Sequence, residues 1–500
     1  MFGNIMNKKA SLFIIISFLL ILKSSSTESN NNDTSIEKSI KEKKATDVMQ
    51  STVCKKCVCD IENKLLDCSQ KLNNTQWFSK EEWKILQDDK IIFETIKIDH
   101  NNLTEITAIP SYGVKNLYLS NNQITSIALG AFQNLTELAK LDLSNNKLSA
   151  NDLKPDVFKG KYSEHDFLPM KNLKFLNLGC NLLHTLNADL FEHVPNLEEL
   201  VLCSNTFTAI DRSTEAAVSG LLELKVLDIS YMKVMTLPET IFHGPQKLED
   251  LIASGNLFIE LPKALSFAVN LKRLVLDENP IQNLEAKNVF PTLRKLQYLS
   301  IAYMPDIYKI GPGAFKELQN LKELILSDNQ MLSEIDEQAF CKNVTGGEYL
   351  DYPPLEKLYL RNCKLTKLPQ KLIRRWDKLN VLDLRMNPWT CDSSNEYMIN
   401  YLMKQVNKST PKLAGNVKCE FPEKLKGLEA LQLSNEKLID SSASDGLIWI
   451  SLMIFILLAI PIILAGIVLH KRGFFRWHKK NDVSNRALYS RASFNEDVHI

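Results

Sequence analysis

The residues with the clearest capacity for chemistry are ten cysteines, all of which precede an apolar segment near the C-terminus. The first four are closely spaced, as Cys54, Cys57, Cys59 and Cys68. Such spacing suits a zinc site in a reducing compartment and disulfide bonds in an oxidising one. Residues 1–26 have the form of a secretory signal peptide, because two lysines precede an apolar run and small residues follow it. We therefore interpret the cysteines as disulfide-forming.

Other reactive side chains form no recognisable catalytic arrangement. Adjacent carboxylates, as in Glu198-Glu199 and Glu249-Asp250, fall on predicted strands, where neighbouring residues point to opposite faces. We interpret them as solvated charges. The eight histidines are scattered, and the sequence contains no zincin, P-loop, nucleophile-elbow or kinase signature. The sequence therefore predicts no enzyme, no cofactor and no metal.

The elements that carry these residues repeat about every 24 residues. The pattern L-x-x-L-x-L-x-x-N-x-L is clearest from Leu138 to Leu148 and recurs through residues 93–389. A period of about 20–29 residues with this spacing is typical of a leucine-rich-repeat solenoid. The fourth and sixth positions of each unit are apolar and alternate with polar ones, which predicts a short half-buried strand. We expect an α/β fold, a curved horseshoe of parallel strands with about 12 repeats. The units begin at Phe93, Val114, Leu138, Leu173, Leu197, Leu224, Leu248, Leu271, Leu296, Leu321, Leu355 and Leu379.

Asparagine occupies the ninth position in nine units. An inward amide side chain can satisfy backbone groups that a turn leaves unpaired. Met232, Met304 and Cys363 stand at this position in the other three units, which we expect to be held less firmly. The asparagines are Asn101, Asn122, Asn146, Asn181, Asn205, Asn256, Asn279, Asn329 and Asn387.

The second, third and fifth positions of each unit are predicted to face outward on the concave side. Several are apolar, and an exposed apolar stripe rimmed by charge is a candidate protein interface. The alternative, that β-branched residues merely suit strands, stays open. The predicted ligand-binding residues are Phe175, Val201, Ile252, Val275, Tyr298, Ile325 and Tyr359. The predicted charged rim is Lys272, Arg273, Glu323, Glu356 and Lys357.

The cysteine cluster before the repeats, and Asn387-Pro388-Trp389-Thr390-Cys391-Asp392 after them, resemble the caps of extracellular leucine-rich-repeat proteins such as Slit, Toll ectodomains, chaoptin and connectin. The resemblance implies the fold, the pairs Cys54–Cys59 and Cys57–Cys68, and a bridge from Cys391 to Cys419. Where the family has a further cysteine, residue 393 is serine, so the second bridge of the C-terminal cap is lost. The pairing of the remaining four is left open. These are Cys180, Cys203, Cys341 and Cys363.

Residues 447–469 carry no charge and are followed by several basic residues. At about 1.5 Å rise per residue, this length suffices for a tilted transmembrane helix. The positive-inside rule then predicts a type I protein of the plasma membrane, with its N-terminus outside. The final Val498-His499-Ile500 could add as a strand to a PDZ domain of a cytoplasmic adaptor.

Six sequons predict N-glycosylation in the secretory pathway. They lie at Asn32, Asn73, Asn102, Asn134, Asn343 and Asn407. The formal net charge of the whole chain is +1, and because the predicted tail is basic, the ectodomain is mildly acidic. That balance argues against a nucleic-acid partner.

The sequence thus predicts a cell-surface recognition molecule, either an adhesion molecule or a receptor for an extracellular or cell-surface protein ligand. The alternatives are an auxiliary subunit or co-receptor of a channel or signalling receptor, and innate immune pattern recognition. The predicted segments are a signal peptide (1–26), a disordered leader (27–53), an N-terminal cap (54–92), the repeats (93–386), a C-terminal cap (387–428), a stalk (429–446), a membrane helix (447–469) and a cytoplasmic tail (470–500).

Overall fold

The structure is a computed structural model that describes residues 52–72, 78–79, 81–84, 93–110, 112–162, 167–343, 350–434 and 441–471. The predicted signal peptide, nearly all of the leader and nearly all of the tail lie outside the described residues. The chain divides into two units, residues 1–438 and 439–500.

A 14-stranded sheet runs through the first unit. Its first two strands are antiparallel and belong to the N-terminal cap, and every later pairing is parallel. Each of the predicted units supplies one strand, so the twelve repeat strands enclose eleven complete turns of the solenoid. The strands are Val58–Asp60, Leu65–Asp67, Thr95–Lys97, Asn116–Tyr118, Lys140–Asp142, Phe175–Asn177, Glu199–Val201, Val226–Asp228, Asp250–Ile252, Arg273–Val275, Tyr298–Ser300, Glu323–Ile325, Lys357–Tyr359 and Val381–Asp383.

The core is a continuous apolar column between the turns. The central residue of every repeat strand, Ile96 in the first and leucine in the others, is at most 4% exposed. Behind the sheet, phenylalanines of successive units stack, with ring centroids 5.8 Å apart for Phe290–Phe315 and 4.8 Å for Phe315–Phe340. Because no single unit can bury both layers, each turn depends on its neighbours for stability.

The ninth-position asparagines of successive units form a stacked row, the asparagine ladder. As the sequence predicts, their side-chain amides bond to backbone groups of the turns. In Asn279, Oδ1 accepts from the backbone N–H of Phe258 at 3.1 Å, and Nδ2 donates to the carbonyl oxygens of Ala253 and Leu276 at 3.0 and 2.9 Å. Where Cys363 replaces the asparagine, its Sγ donates to the carbonyl of Leu326 at 3.2 Å. The thiol therefore supplies part of what the missing amide would have supplied.

Short elements complete the turns away from the large sheet. One small sheet contains three strands, and the pairs Glu105–Ile106 with Ser126–Ile127, Lys161–Tyr162 with Phe167–Leu168 and Lys342–Asn343 with Leu350–Asp351 form three more. The last two are hairpins that occupy the two longest repeats. The three-stranded sheet is Asn283–Leu284, Lys309–Ile310 and Glu334–Ile335. The helical segments are Pro155–Phe158, Arg212–Ser219, Lys263–Phe267, Gln370–Leu372 and Trp376–Lys378.

Both ends of the solenoid are covered by disulfide-linked caps. The N-terminal cap contains helix Thr52–Lys56 and the bridges Cys54–Cys59 and Cys57–Cys68. In the C-terminal cap, Trp389 is fully buried beside the Cys391–Cys419 bridge. Burial continues beyond residue 428, to Ala430 and Leu433, so this cap packs residues assigned to the stalk from sequence. Its elements are Trp389–Thr390, Ser393–Asn395, Met398–Leu402, Met403–Ser409, Pro411–Ala414, Cys419–Phe421 and Glu423–Leu425.

The described part of the second unit is one helix, Ser441–Lys471, which contains Pro461 and the predicted span 447–469. Its described side chains between 453 and 468 are apolar or small and almost all exposed. Counting only the residues that the structure describes, no helix is both long and apolar enough to cross a membrane.

Candidate functional site

The repeat strands present an open face, formed by the residues on either side of each buried central leucine. In most repeat strands both flanking residues are half-buried. Parallel pairing without register shifts aligns equivalent positions of successive units. The open face is therefore built of two columns, one from the third and one from the fifth position of each unit.

The structure brings together some of the predicted ligand-binding residues and separates others. In the fifth-position column Ile252 pairs with Val275, and Ile325 pairs with Tyr359. Asp228 lies between Val201 and Ile252, and Ser300 lies between Val275 and Ile325. The apolar stripe is therefore interrupted twice.

Three of the predicted ligand-binding residues differ from a simple exposed apolar stripe, either in burial or in their neighbours. Val275 is only 7% exposed, so it contributes little surface. Phe175 lies in the third-position column between Lys140 and Glu199, away from the aliphatic pairs, and the Lys140 amine sits 5.7 Å from its ring centroid. Tyr298 occupies the same column five units further on, and the Arg273 guanidinium lies 5.0 Å from its ring centroid.

Four of the five residues of the predicted charged rim form ion pairs within the protein. Lys272 lies 2.6 Å from Glu249, Lys357 lies 3.0 Å from Glu323 and Lys322 lies 3.8 Å from Glu356. Glu198 contacts both Lys174 and Lys225, and these hydrogen bonds lower the pKa of Glu198. Exposed pairs of this kind contribute little to stability, so their main effect is to leave a rim with little net charge.

An acidic group on the open face was not expected from the sequence. Glu199 and Asp250 flank Val226 in the third-position column, and Asp228 lies on the same strand as Val226. Burial raises the pKa of Glu199, and the nearby Asp250 and Asp228 raise it further; burial also raises the pKa of Asp250. Sequence reasoning treated Glu199 and Asp250 as separate solvated charges. The sequence did contain one indication that they lie close together, because both residues occupy the third position of their units and these units are only two apart.

The turns that follow the strands carry a second row of exposed or half-buried residues at position eight, which sequence reasoning also missed. All twelve residues there have a left-handed backbone, with φ between 52° and 63°. Tyr231 extends across Gly255 and donates from its hydroxyl to Glu278 Oε1 at 2.6 Å, and this hydrogen bond raises the pKa of Tyr231 to about 12. A side chain at residue 255 would collide with the Tyr231 ring, since a Cβ would lie 2.2 Å from it.

Comparison with known proteins identifies the family. A model described as Leucine rich repeat matches residues 94–148, 113–160 and 195–258, and one described as BspA type Leucine rich repeat region (6 copies) matches residues 282–353. Lumican of Coturnix japonica is 30% identical over 273 residues, which span 54% of this chain and 70% of lumican. The chain belongs to the extracellular-type leucine-rich-repeat family with disulfide caps.

Two other matches show the range of similarity. Human lumican is 29% identical over 269 residues, covering 53% of this chain and 72% of lumican. A chain in the structure of the Drosophila Toll–Spatzle complex is 20% identical with a TM-score of 0.45, covering 69% of this chain and 55% of that chain. The narrower resemblance to Slit, Toll ectodomains, chaoptin and connectin stays a prediction.

The six cysteines of the caps form the three disulfide pairs that the resemblance implies. The other four are free thiols. Cys180 and Cys203 are nevertheless neighbours, since the Cys180 N–H donates to the Cys203 carbonyl at 2.7 Å. Burial raises the pKa of Cys203 to about 12, so its thiol stays protonated at neutral pH. No cluster of three or more His, Cys, Asp or Glu residues suited to a metal occurs in the described ranges.

The sequons differ in accessibility. Asn102 and Asn407 are exposed, whereas Asn134 is half-buried and its Nδ2 donates to the carbonyl of Ile109 at 3.1 Å. Glycosylation at Asn134 would have to displace or share that donor. Asn343 ends a hairpin strand, and Asn32 and Asn73 lie outside the described residues.

Proposed function

We propose that the protein is a cell-surface recognition molecule that binds a protein ligand across the open face, with no catalytic domain. The observation that carries this proposal is the set of partly exposed side chains Ile252, Ile325 and Tyr359 in one column, with Tyr298 in the adjacent column. Apolar and aromatic side chains inside a rim of charged groups are typical of protein interfaces. Membership of an extracellular-type family supports the same function.

The test is a cell-aggregation assay with the full-length protein displayed on non-adherent cells. Clumping confined to expressing cells would indicate homophilic adhesion, and mixed clumping would indicate a ligand on ordinary cells. If no clumping occurs, a soluble ligand or an auxiliary-subunit role gains support, and a pull-down with and without residues 447–500 distinguishes them. The auxiliary subunit should need that segment, because it would associate through its membrane helix.

The open face is tested by the double substitution Ile252→Lys with Ile325→Lys. Both residues are half-buried and flank strand centres, so a lysine can extend outward while its charge disrupts an apolar contact. The matched control is Leu222→Lys with Ile259→Lys, which are 61% and 63% exposed outside the large sheet. We expect loss of aggregation or ligand capture only in the first variant. Equal activity of both variants at equal surface display would rule out the open face.

We further propose that residues 447–469 anchor the protein in the plasma membrane as a type I span. This proposal is supported by the absence of charge in that segment and by the basic residues that follow it in the sequence. The test is extraction of cell membranes with alkaline carbonate. The full chain should remain in the pellet, and a chain ending at residue 446 should be secreted; full-length protein in the carbonate supernatant would refute the anchor.

A further inference from the structure

A surface pocket lies where the last two repeats meet the C-terminal cap. Its volume is about 390 Å³. Three of its lining residues are basic, two are asparagines and none is acidic. The lining residues are Arg361, Arg385, Met386, Asn387, Asn416 and Lys418. The last two repeats and the cap thus place cationic groups around one small volume.

The three basic residues differ in how they are held. Arg385 donates from Nε and Nη2 to Asp383 at 2.8 and 2.6 Å, and Asp383 is only 3% exposed. This bidentate contact fixes the guanidinium and neutralises its charge, while leaving some of its five N–H donors unused. Arg361 and Lys418 are exposed and take part in no ion pair with another described residue. The pocket therefore combines one fixed donor with two exposed basic side chains that form no ion pair with a described residue.

We propose that this pocket binds the carboxylate of an aspartate or glutamate side chain of the protein ligand. The inference rests on the proposed function and names a chemical feature of the partner. A planar carboxylate matches the donor geometry of guanidinium groups and gains charge-assisted hydrogen bonds. Met386 is 57% exposed beside these groups and can contact the apolar part of the same ligand segment.

The position of the pocket makes it continuous with the open face. Tyr359 pairs with Asp383, the residue that holds Arg385, and neighbouring strands lie about 4.8 Å apart. A ligand that covers Ile325 and Tyr359 would therefore reach the pocket without a gap. We favour an acidic protein side chain over a sulfated glycan, because the pocket adjoins the face that we propose binds protein and because a planar carboxylate matches the donor geometry of a guanidinium group.

The experiment measures binding of a fluorescein-labelled hexaglutamate peptide to the full-length protein in detergent micelles at low salt, by fluorescence anisotropy. The variant is Arg361→Glu with Lys418→Glu. The matched control is Lys408→Glu with Lys412→Glu, two exposed lysines of the same cap that do not line the pocket and that give the same change in net charge. We expect the pocket variant to bind at least about tenfold more weakly and the control less than about twofold more weakly.

Equal weakening in both variants, equal binding in both, or no binding by the wild type would overturn the proposal. A size-matched heparin oligosaccharide is the second probe. If it binds through the pocket and the peptide does not, the ligand is a glycan and the proposal is wrong. The Ile252→Lys, Ile325→Lys variant should retain peptide binding, so failure of the pocket is distinguishable from failure of the open face.

Discussion

Removal of one ladder asparagine provides the sharpest test of what holds the solenoid together. Asn279 is 0% exposed, and its side chain bonds to the Phe258 N–H and to the carbonyls of Ala253 and Leu276. In the substitution Asn279→Ala, the Ala253 carbonyl keeps a partner, because it also accepts from Asn256. The Phe258 N–H and the Leu276 carbonyl each lose the hydrogen bond to the Asn279 side chain. At roughly 1–3 kcal/mol for each buried group left unsatisfied, two such groups cost about 4 kcal/mol.

The measurement is urea unfolding followed by far-UV circular dichroism, combined with hydrogen exchange of peptides that cover Phe258 and Leu276. The control is Asn380→Ala, which changes an exposed asparagine and should alter the free energy of unfolding by less than about 0.5 kcal/mol. Local exchange is needed because long repeat arrays can unfold in parts. A loss below about 1 kcal/mol for Asn279→Ala, with unchanged exchange at residue 258, would refute the view that the ladder amides hold successive turns together.

The high pKa of Cys203, about 12 because of burial, predicts slow alkylation of this thiol by iodoacetamide at pH 8. The rate is measured by mass spectrometry of the peptide that contains residue 203, because three other thiols are free, and a rate equal to that of an exposed cysteine would contradict the prediction. Burial and the neighbouring acids raise the pKa of Glu199, so its carboxyl group binds a proton more tightly in the folded state than in the unfolded state. The protonated carboxyl therefore favours folding at low pH, and this contribution to the free energy of unfolding is lost as the pH rises through the folded-state pKa. Glu199→Gln should therefore raise the melting temperature at pH 7. It should also reduce the increase in melting temperature that the wild type shows when the pH is lowered from 7 to 5. If the variant and the wild type show the same pH dependence, the acids do not interact. The double substitution Cys391→Ser with Cys419→Ser removes the C-terminal bridge and should lower the free energy of unfolding by about 2–4 kcal/mol, measured by chemical denaturation. If the denaturant concentration at the midpoint of unfolding does not change, apolar packing alone holds the cap.

Much of the fold follows from short-range regularities in the sequence. The period-two leucines identify every repeat strand, because alternation places one side chain in the core wherever the strand lies. The ladder asparagines follow in the same way, since a buried turn must find partners for its backbone groups. The disulfides of the caps came from resemblance and not from spacing, which allows several pairings among Cys54, Cys57, Cys59 and Cys68.

The candidate site was harder to predict because it depends on which residues of different units become neighbours. The sequence identified Ile252, Ile325 and Tyr359 as outward-facing. It did not show that Val275 is covered, since the burial of a flanking residue depends on the side chains of the units on both sides.

What the sequence by itself determined is therefore the repeating unit: its strand, its buried leucines and its ladder amide, all set by local period and by the need to satisfy the backbone. Only the tertiary structure decided which side chains of different units contact one another. The reach of Tyr231 over Gly255 to Glu278, and the pocket that joins Arg361 to Lys418, both arise from stacking. Stacking aligns positions about one repeat or more apart, and no local pattern along the chain records which side chains will then meet.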